Sequence, residues 1–354
     1  MAVHSNKTAT LIVMLGALLL GSGCGNLAGH KNVDRGLSYI ESHEYEEAAA
    51  CFDAAEAAGE NQRILYRAKG ILDKNLGQYD SAVENFLKSL AATSGIPGDM
   101  DFDTNYYLAD VYIKQEKYDE AVEVYDAILA LRKRDKDAYY MRGMARLYSG
   151  DHDGATIDFN KAIALAGRNY DLRIMIYKAL SSNGYEDEGK AILESCLNNT
   201  DPNMTNYEKG QISYYLGNNA DAQSYLELAR NERDMDKAPV VLLLGQTGEK
   251  QGDFNYAISV YKTFLAEDPD HPDIYNQLGL CQTNVGDYEG AVNSFEAGLA
   301  LGNNEYSKAL LMNEITAYEY AGNFAQAKTL MEKYRKAYPD DKDAEREEIF
   351  LSSR

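Results

Sequence analysis

The segment "LGQYDSAVENFLKSL" at 76–90 is echoed by "QEKYDEAVEVYDAIL" at 115–129 and by "VGDYEGAVNSFEAGL" at 285–299. With the alanine of "YDSAV" as a phase mark, the pattern returns at Ala48, Ala82, Ala121, Ala155, Gly189, Ala222, Ala257, Ala291 and Ala327. The steps are 34, 39, 34, 34, 33, 35, 34 and 36 residues, and the long one falls where "TSGIPGDM" (93–100) adds a loop. A fixed period of this size restricts a chain to architectures in which one small unit stacks on copies of itself. Length alone is less decisive, since 354 residues suit either two or three globular domains or one elongated array.

Other positions keep the phase. Four residues after each mark stands a bulky apolar side chain: Phe52, Phe86, Tyr125, Phe159, Leu193, Leu226, Tyr261, Phe295 and Met331. Twelve before it, most copies place a small residue, for example Gly36, Gly70, Ala109, Gly143 and Gly279. Five before it lies a glycine in seven copies, from Gly77 to Gly322. This grammar predicts a helix, a turn and a second helix. The small residue and the mark alanine let two helices approach, and the bulky residue fills the gap between successive pairs. The turn glycine lets the backbone leave the first helix in a left-handed conformation. Acids as in "KYDEA" open the second helix near its positive end, and the aromatic there (Tyr45, Tyr79, Tyr118, Phe254, Tyr288, Phe324) is expected over the bend.

A helix–turn–helix unit of about 34 residues with these positions in phase resembles the tetratricopeptide repeat (TPR). The resemblance implies an all-α fold, a right-handed α-solenoid of about nine helix-turn-helix (TPR-like) repeats over 31–341. Pro269 and Pro339 stand twelve after a mark, where that family often closes a repeat. Two copies depart from it. The one at 170–202 has Tyr177 and Gly189 where a small residue and alanine are usual, and the last has Ile315 at the small position. Looser packing, with a kink in the array, is expected at 170–202. The end needs a polar cap, and "DDKDAEREEIFLSSR" reads as a capping helix over 342–354, with Ile349 and Phe350 covering the last pair while Glu345 to Glu348 face water.

The first residues belong elsewhere. Lys7 opens a positive segment, Leu11 to Leu20 is apolar but too short for a comfortable span, and Gly21, Ser22 and Gly23 precede Cys24. This is similar to a bacterial lipoprotein signal, although Gly21 stands where that family usually has a branched apolar residue. The resemblance implies a signal peptide over 1–23, a diacylglycerol thioether on Cys24, and a short tether over 24–30. It places the protein on the extracytoplasmic face of a cell membrane. An ordinary secretory signal with a chance cysteine is the alternative. Two or more acyl chains hold a protein stably, one does not. The six residues "GNLAGH" extend about 20 Å, which keeps the first pair near the bilayer. Cys51, Cys196 and Cys281 form an odd set without CxxC spacing and read as buried free thiols.

The formal charge is −21, or −22 once the leader with Lys7 is removed. Such a surface repels nucleic acid and anionic headgroups; it suits a basic or neutral partner, or serves solubility. No paired-ligand spacing, P-loop, GxSxG or GxGxxG stands in a fitting context, so no enzyme activity, metal or other cofactor is implied. "GDHDGATIDF" (150–159) reads as a repeat turn. In "DMDFDTNYYLAD" (99–110), Asp99, Asp101, Asp103 and Asp110 fall at calcium-loop places one, three, five and twelve. Thr104 stands where the sharp turn needs glycine, so a solvated acidic loop feeding a helix is the preferred reading.

In the TPR family the first helix of each pair lines a concave groove. The resemblance places Tyr106, Asp110, Tyr140, Met144, Tyr148, Tyr207, Gln211, Tyr214 and Tyr215 there. Tyrosine joins a large apolar face to a polar tip at little entropic cost, which suits an extended peptide or partner helix; packing between helices is the alternative for each. The family's Lys, Asn and Arg set for a terminal carboxylate is missing at positions such as Val33, Leu37, Tyr106, Asp110 and Tyr140. The expected function is a binding scaffold for a protein or peptide, with envelope assembly a role the resemblance makes plausible. No small-molecule substrate is expected. A carbohydrate-binding lipoprotein is the alternative.

Overall fold

The computed structural model describes residues 30–198, 201–302 and 305–354. The expected signal peptide and Cys24 lie outside the described residues. Nineteen helices and no strand occur among those described. The first helices of the nine pairs are α1 (Lys31–Glu41), α3 (Gln62–Asn75), α5 (Asp99–Lys114), α7 (Lys136–Ser149), α9 (Tyr170–Ser182), α11 (Asn206–Leu216), α13 (Lys237–Lys250), α15 (Pro272–Asn284) and α17 (Ser307–Tyr320). Their second helices are α2 (Tyr45–Ala57), α4 (Tyr79–Ala91), α6 (Tyr118–Leu131), α8 (His152–Ala166), α10 (Glu186–Asn198), α12 (Asn219–Arg230), α14 (Phe254–Leu265), α16 (Tyr288–Ala300) and α18 (Phe324–Ala337). A last helix, α19 (Lys342–Ser352), follows. All nine marks are buried helical residues.

In six pairs the seam is closed by one close approach, five of them by a ring. A Cβ added at Gly36 would lie 2.3 Å from the ring of Phe52; at Gly70, 2.6 Å from Phe86; at Gly279, 2.4 Å from Phe295. The bulky side chain at mark plus four therefore lies on the small residue of its own pair. Filling the gap between pairs, as expected, is the other part of its role: Phe52 shares a core cluster with Leu65 and Ala68 of α3, and Leu226 one with Leu244 of α13. The Phe86 ring stacks on Tyr107 of α5 at 5.7 Å. The aromatic that opens the second helix also meets this gap. Tyr118 lies against Tyr148 at the end of α7 (5.7 Å), and Tyr288 stacks on Tyr320 at the end of α17 (5.9 Å). These rings reach forward to the following pair, beyond their own bend.

The departure in the last copy is compensated in size: Ile315 is buried opposite Met331, a flexible side chain in place of a ring. In the 170–202 copy Tyr177 of the first helix is half-buried and Gly189 at the mark is buried. The chain divides into two compact units at Glu186, inside this copy, the first running to Glu186 and the second from Asp187.

The turns confirm the left-handed exit. Gly77, Gly150, Gly184, Gly217, Gly252, Gly286 and Gly322 all have positive φ. The two copies without glycine place His43 (φ 62°) and Glu116 (φ 59°) at the same step, the two non-glycine residues with positive φ among those described. Asp151, Asp253, Asp287 and Asn323 then cap the second helix at one shared position, each accepting from a backbone N–H of the first turn.

The acidic stretch at 99–110 is corrected. Helix α5 already begins at Asp99, and Asp101 is buried rather than solvated. It pairs with Arg63 (2.6 Å), accepts the Thr93 hydroxyl (2.5 Å) and takes the Gly98 N–H (2.7 Å). Asp99 pairs with Arg132 and Asp110 with Lys74, so these acids serve three separate contacts. The cap is also corrected. Ala344 and Leu351 are the buried residues of α19, while Ile349 is 65% and Phe350 40% exposed. With α19 beginning at Lys342, the spacing of seven turns Ala344 and Leu351 to one face, and Ile349 off it. Cys196 and Cys281 are buried and Cys51 is half-buried, and none of the three forms a disulfide among the described residues.

Left-handed geometry costs a non-glycine residue about 1–2 kcal/mol, against about 0.5–1 kcal/mol for the extra freedom glycine loses on folding. Glu116→Gly is expected to raise stability by up to about 1 kcal/mol, read as a higher urea midpoint at unchanged slope. Gly279→Val drives a branched side chain into Phe295 and is expected to cost about 3 kcal/mol. Adding Phe295→Ala should make the double variant less unstable than the two single losses summed.

Candidate binding faces on the first helices

Within each unit the first helices of successive pairs touch: α1 with α3 and α3 with α5 in the first, α11 with α13, α13 with α15 and α15 with α17 in the second. No second helix meets the next second helix to that extent among the described residues. A stack that closes on one side and opens on the other curves with the closed side inward. By these contacts α1, α3 and α5 form the inner side of their part of the first unit, and α11, α13, α15 and α17 that of the second.

The expected face residues fall into both units. On α5, Tyr106 and Asp110 are half-buried, one turn apart on one face. The Tyr106 hydroxyl donates to Asp135 Oδ1 (2.9 Å), the residue whose carboxylate also caps α7. Burial, then Asp135, pushes this phenol far above its ordinary range. Its ring meets Tyr125 edge-on at 5.9 Å. Asp110 is bound to Lys74 of α3 at 2.5 Å. Both side chains are thus committed to joining neighbouring pairs. On α7, Tyr140 is half-buried against Phe159 (6.0 Å), and burial raises its phenol. Met144, one turn on, is half-buried, and Tyr148 remains 43% exposed although Tyr118 touches it.

On α11 of the second unit, Tyr207, Gln211, Tyr214 and Tyr215 are all half-buried. Tyr214 meets Tyr215 edge-on at 5.2 Å. The ammonium of Lys250, from α13, lies 3.6 Å from the Tyr214 ring centroid and 3.3 Å from its carbonyl oxygen. Burial lowers that lysine's pKa. The amide oxygen of Gln211 is buried and accepts no hydrogen bond among the described residues. An acceptor left in that state costs about 1–3 kcal/mol.

Three cations on these faces were missed by the reading of the sequence. Arg67 and Lys74 on α3 lie 5.3 and 5.1 Å from the Tyr107 centroid, and Lys250 covers Tyr214. Their phase gives the signal: they stand fifteen, eight and seven residues before their marks. At the far end, Asn313 of α17 donates to Asn276 of α15 (2.8 Å). Among the described residues, no three His, Cys, Asp or Glu side chains cluster as a metal site requires. No described helix is long and apolar enough to cross a membrane.

The comparisons with known proteins agree with this geometry. Sequence profiles described as Tetratricopeptide repeat match residues 67–129 and 106–170, 249–312, and 311–341, more than half of the chain together. The chain belongs to the tetratricopeptide-repeat family. The central stretch left unmatched, 171–248, holds the divergent copy and the boundary between the units. A TPR repeat-containing protein of Methanocaldococcus jannaschii, MJ1428, is 26% identical over 67% of this chain and 42% of its own length. RNA polymerase II-associated protein 3 of Xenopus tropicalis is 28% identical over 46% of this chain and 25% of its own. The chain thus spans less than half the length of these curated relatives. Among solved structures, yeast Tom70 is similar in fold, with a TM-score of 0.49 at 14% identity, covering 91% of this chain and 87% of that one. TPR proteins as a class are protein-interaction scaffolds, and the repeats of this chain are of that kind.

The inner side of the second unit ends in an acidic contact. Burial, then Glu347 of α19, raises Glu319 of α17 to about 7. Burial, then Glu296, raises Glu314 to about 7, while Lys333 opposes this. Both acids are raised above their unfolded value, so their stabilisation is full below pH 4.5 and is lost as pH rises through about 7. Between pH 5 and 8 the amide protection factors of α17 and α19, with the intrinsic pH dependence of exchange removed, are expected to fall several-fold. Glu347→Gln should bring Glu319 toward the ordinary carboxylate range, as read by side-chain carboxyl NMR.

Proposed function

We propose that this TPR protein is a membrane-anchored, extracytoplasmic scaffold that captures a protein or peptide on the first-helix faces. The observation that supports it most is the unsatisfied Gln211 amide oxygen between half-buried tyrosines on α11. A peptide N–H would satisfy that acceptor, and Tyr207, Tyr214 and Lys250 would pack around the ligand backbone. On α7, Tyr140 and Met144 offer an apolar face with a polar tip, and Met adapts to differing side chains. Tyr106 and Asp110 would shape the surface without contributing much binding energy, since their polar groups are already engaged. The reading of these positions as a peptide groove rests on family phase and chemistry together. The carbohydrate alternative gains nothing from the comparisons.

The anchor is part of the same proposal. Cys24 would carry the lipid, and the residues to 30 would tether the first pair. A role in envelope assembly would follow from a scaffold held at that surface.

Two measurements test it. A photo-crosslinking residue at Met144 or Gln211, in the native cell, should trap one discrete partner, whereas one at the exposed Ser224 of α12 should not. Tyr140→Ala and Tyr207→Ala should weaken capture about tenfold or more, with helicity unchanged. Equal capture by the variants would remove the first-helix faces from the account. Cys24→Ala should release the protein from the membrane fraction, and exported wild-type material should lack Met1 and carry added acyl mass.

A further inference from the structure

One location recurs in every helix pair, at thirteen, nine and one residue before the mark and three after it. Most copies fill it. In α1–α2, Arg35 Nη2 donates to the Tyr39 hydroxyl (3.1 Å). In α3–α4, Ser81 and Asn85 both donate to Asp73 (2.6 and 2.7 Å). In α13–α14, Gly248 leaves room for Tyr256, whose ring would be 2.8 Å from an added Cβ. In α15–α16, Gln282 and Ser294 are 2.6 Å apart and bonded. In α7–α8 the filling is ionic. Arg142 forks onto Asp158, and Arg146 Nη1 donates to Asp158 (2.8 Å) and to the Gly154 carbonyl (3.3 Å).

The α11–α12 pair is different. Its residues at the same phase are Lys209, Ser213, Asp221 and Tyr225. Ser213 is 1% exposed, and its hydroxyl finds no hydrogen-bond partner among the described residues. A cavity of about 540 Å³ opens here, lined by Leu197, Asp201, Lys209, Ser213, Asp221 and Tyr225. Set beside α7–α8, the serine replaces Arg146, a carboxylate replaces Gly154, and an aromatic ring replaces Asp158. The place that the Arg146 guanidinium fills in one pair is an open cavity in the other, bordered by an acid and a ring, with Lys209 at the position of Arg142.

We propose that this cavity is a receptor for a guanidinium group, an arginine side chain supplied by a partner. Asp221 would accept its fork, the Ser213 hydroxyl would accept a further N–H, and the Tyr225 face would stack on its plane. Two carboxylates line the cavity against one ammonium, Lys209, whose nitrogen lies 5.7 Å from the Tyr225 centroid. The formal charge of −21 draws cations to the surface generally. A guanidinium is preferred to an ammonium because it is planar, weakly hydrated and able to bond a carboxylate twice. This site is independent of the first-helix faces, and its failure would leave that reading standing.

The test titrates the full chain with N-acetyl-arginine amide, and separately with the lysine and glutamate analogues, by calorimetry and amide NMR. Saturable binding of the arginine probe, tighter than the lysine probe and absent for glutamate, is expected, with shifts at Ser213 and Tyr225. Asp221→Asn should weaken it about tenfold, Ser213→Leu should abolish it by filling the cavity, and Ile157→Ala, at an exposed position of α8, should leave it unchanged. No saturable binding, or equal affinity in a folded Asp221→Asn, would overturn the proposal. Should Ser213→Leu fail to fold, as judged by its melting curve, Asp221→Asn alone decides.

Discussion

The close approach of a ring to a glycine holds five of the helix pairs together. Where Gly36, Gly70, Gly143 or Gly279 lacks a Cβ, the ring at mark plus four lies on the backbone of the partner helix. No other residue leaves that space, and a smaller side chain opposite would leave a void at considerable cost. Two amphipathic helices are thereby fixed at one distance and angle, and a constant unit is what allows regular stacking. The left-handed turn sets the direction of the second helix. Its opening aromatic then reaches the next pair and passes the geometry on.

That division of labour explains which residues remain for recognition. The marks, the glycines and the rings are buried on the seam of each pair. The first helices that touch converge along the inner side of their unit, and the outward residues of first helices are set neither by the seam nor by the turn. Some are used to link pairs, as Tyr106 to Asp135 and Lys74 to Asp110 show. Others, such as Met144 and Gln211, are left half-buried on the same side. Variation within a fixed frame gives a TPR protein its choice of partner, and the frame itself says little about which one.

The fold was legible in the sequence because it is periodic. Nine marks in phase determined the helix pairs, and positive φ at His43 and Glu116 shows that the turn geometry persists where the glycine signal fails. What escaped the sequence depended on neighbours rather than on phase. Ile349 and Phe350 are apolar, yet the start of α19 turned Ala344 and Leu351 inward instead. Asp101 reads as one acid among several, but Arg63 comes from 38 residues away to neutralise it in the interior. The candidate faces were read in part. Phase assigned Tyr106 and Gln211 to the same class of position, and only coordinates separate a hydroxyl already bonded from an amide oxygen that is not. The cavity beside Ser213 is a difference between copies, visible only when the corresponding side chains of other pairs are known to fill that space.

The central claim is that stability resides in repeated pairs stacked in phase, within two units that divide inside the 170–202 copy. Hydrogen exchange of the full chain, followed by mass spectrometry at single-peptide resolution, tests it most directly. Protection should rise and fall with a period of about 34 residues, weak at the turns and lowest around Glu186, inside the 170–202 copy. A single block of protected residues that ignores the repeat phase, with equal protection across 170–202, would contradict it.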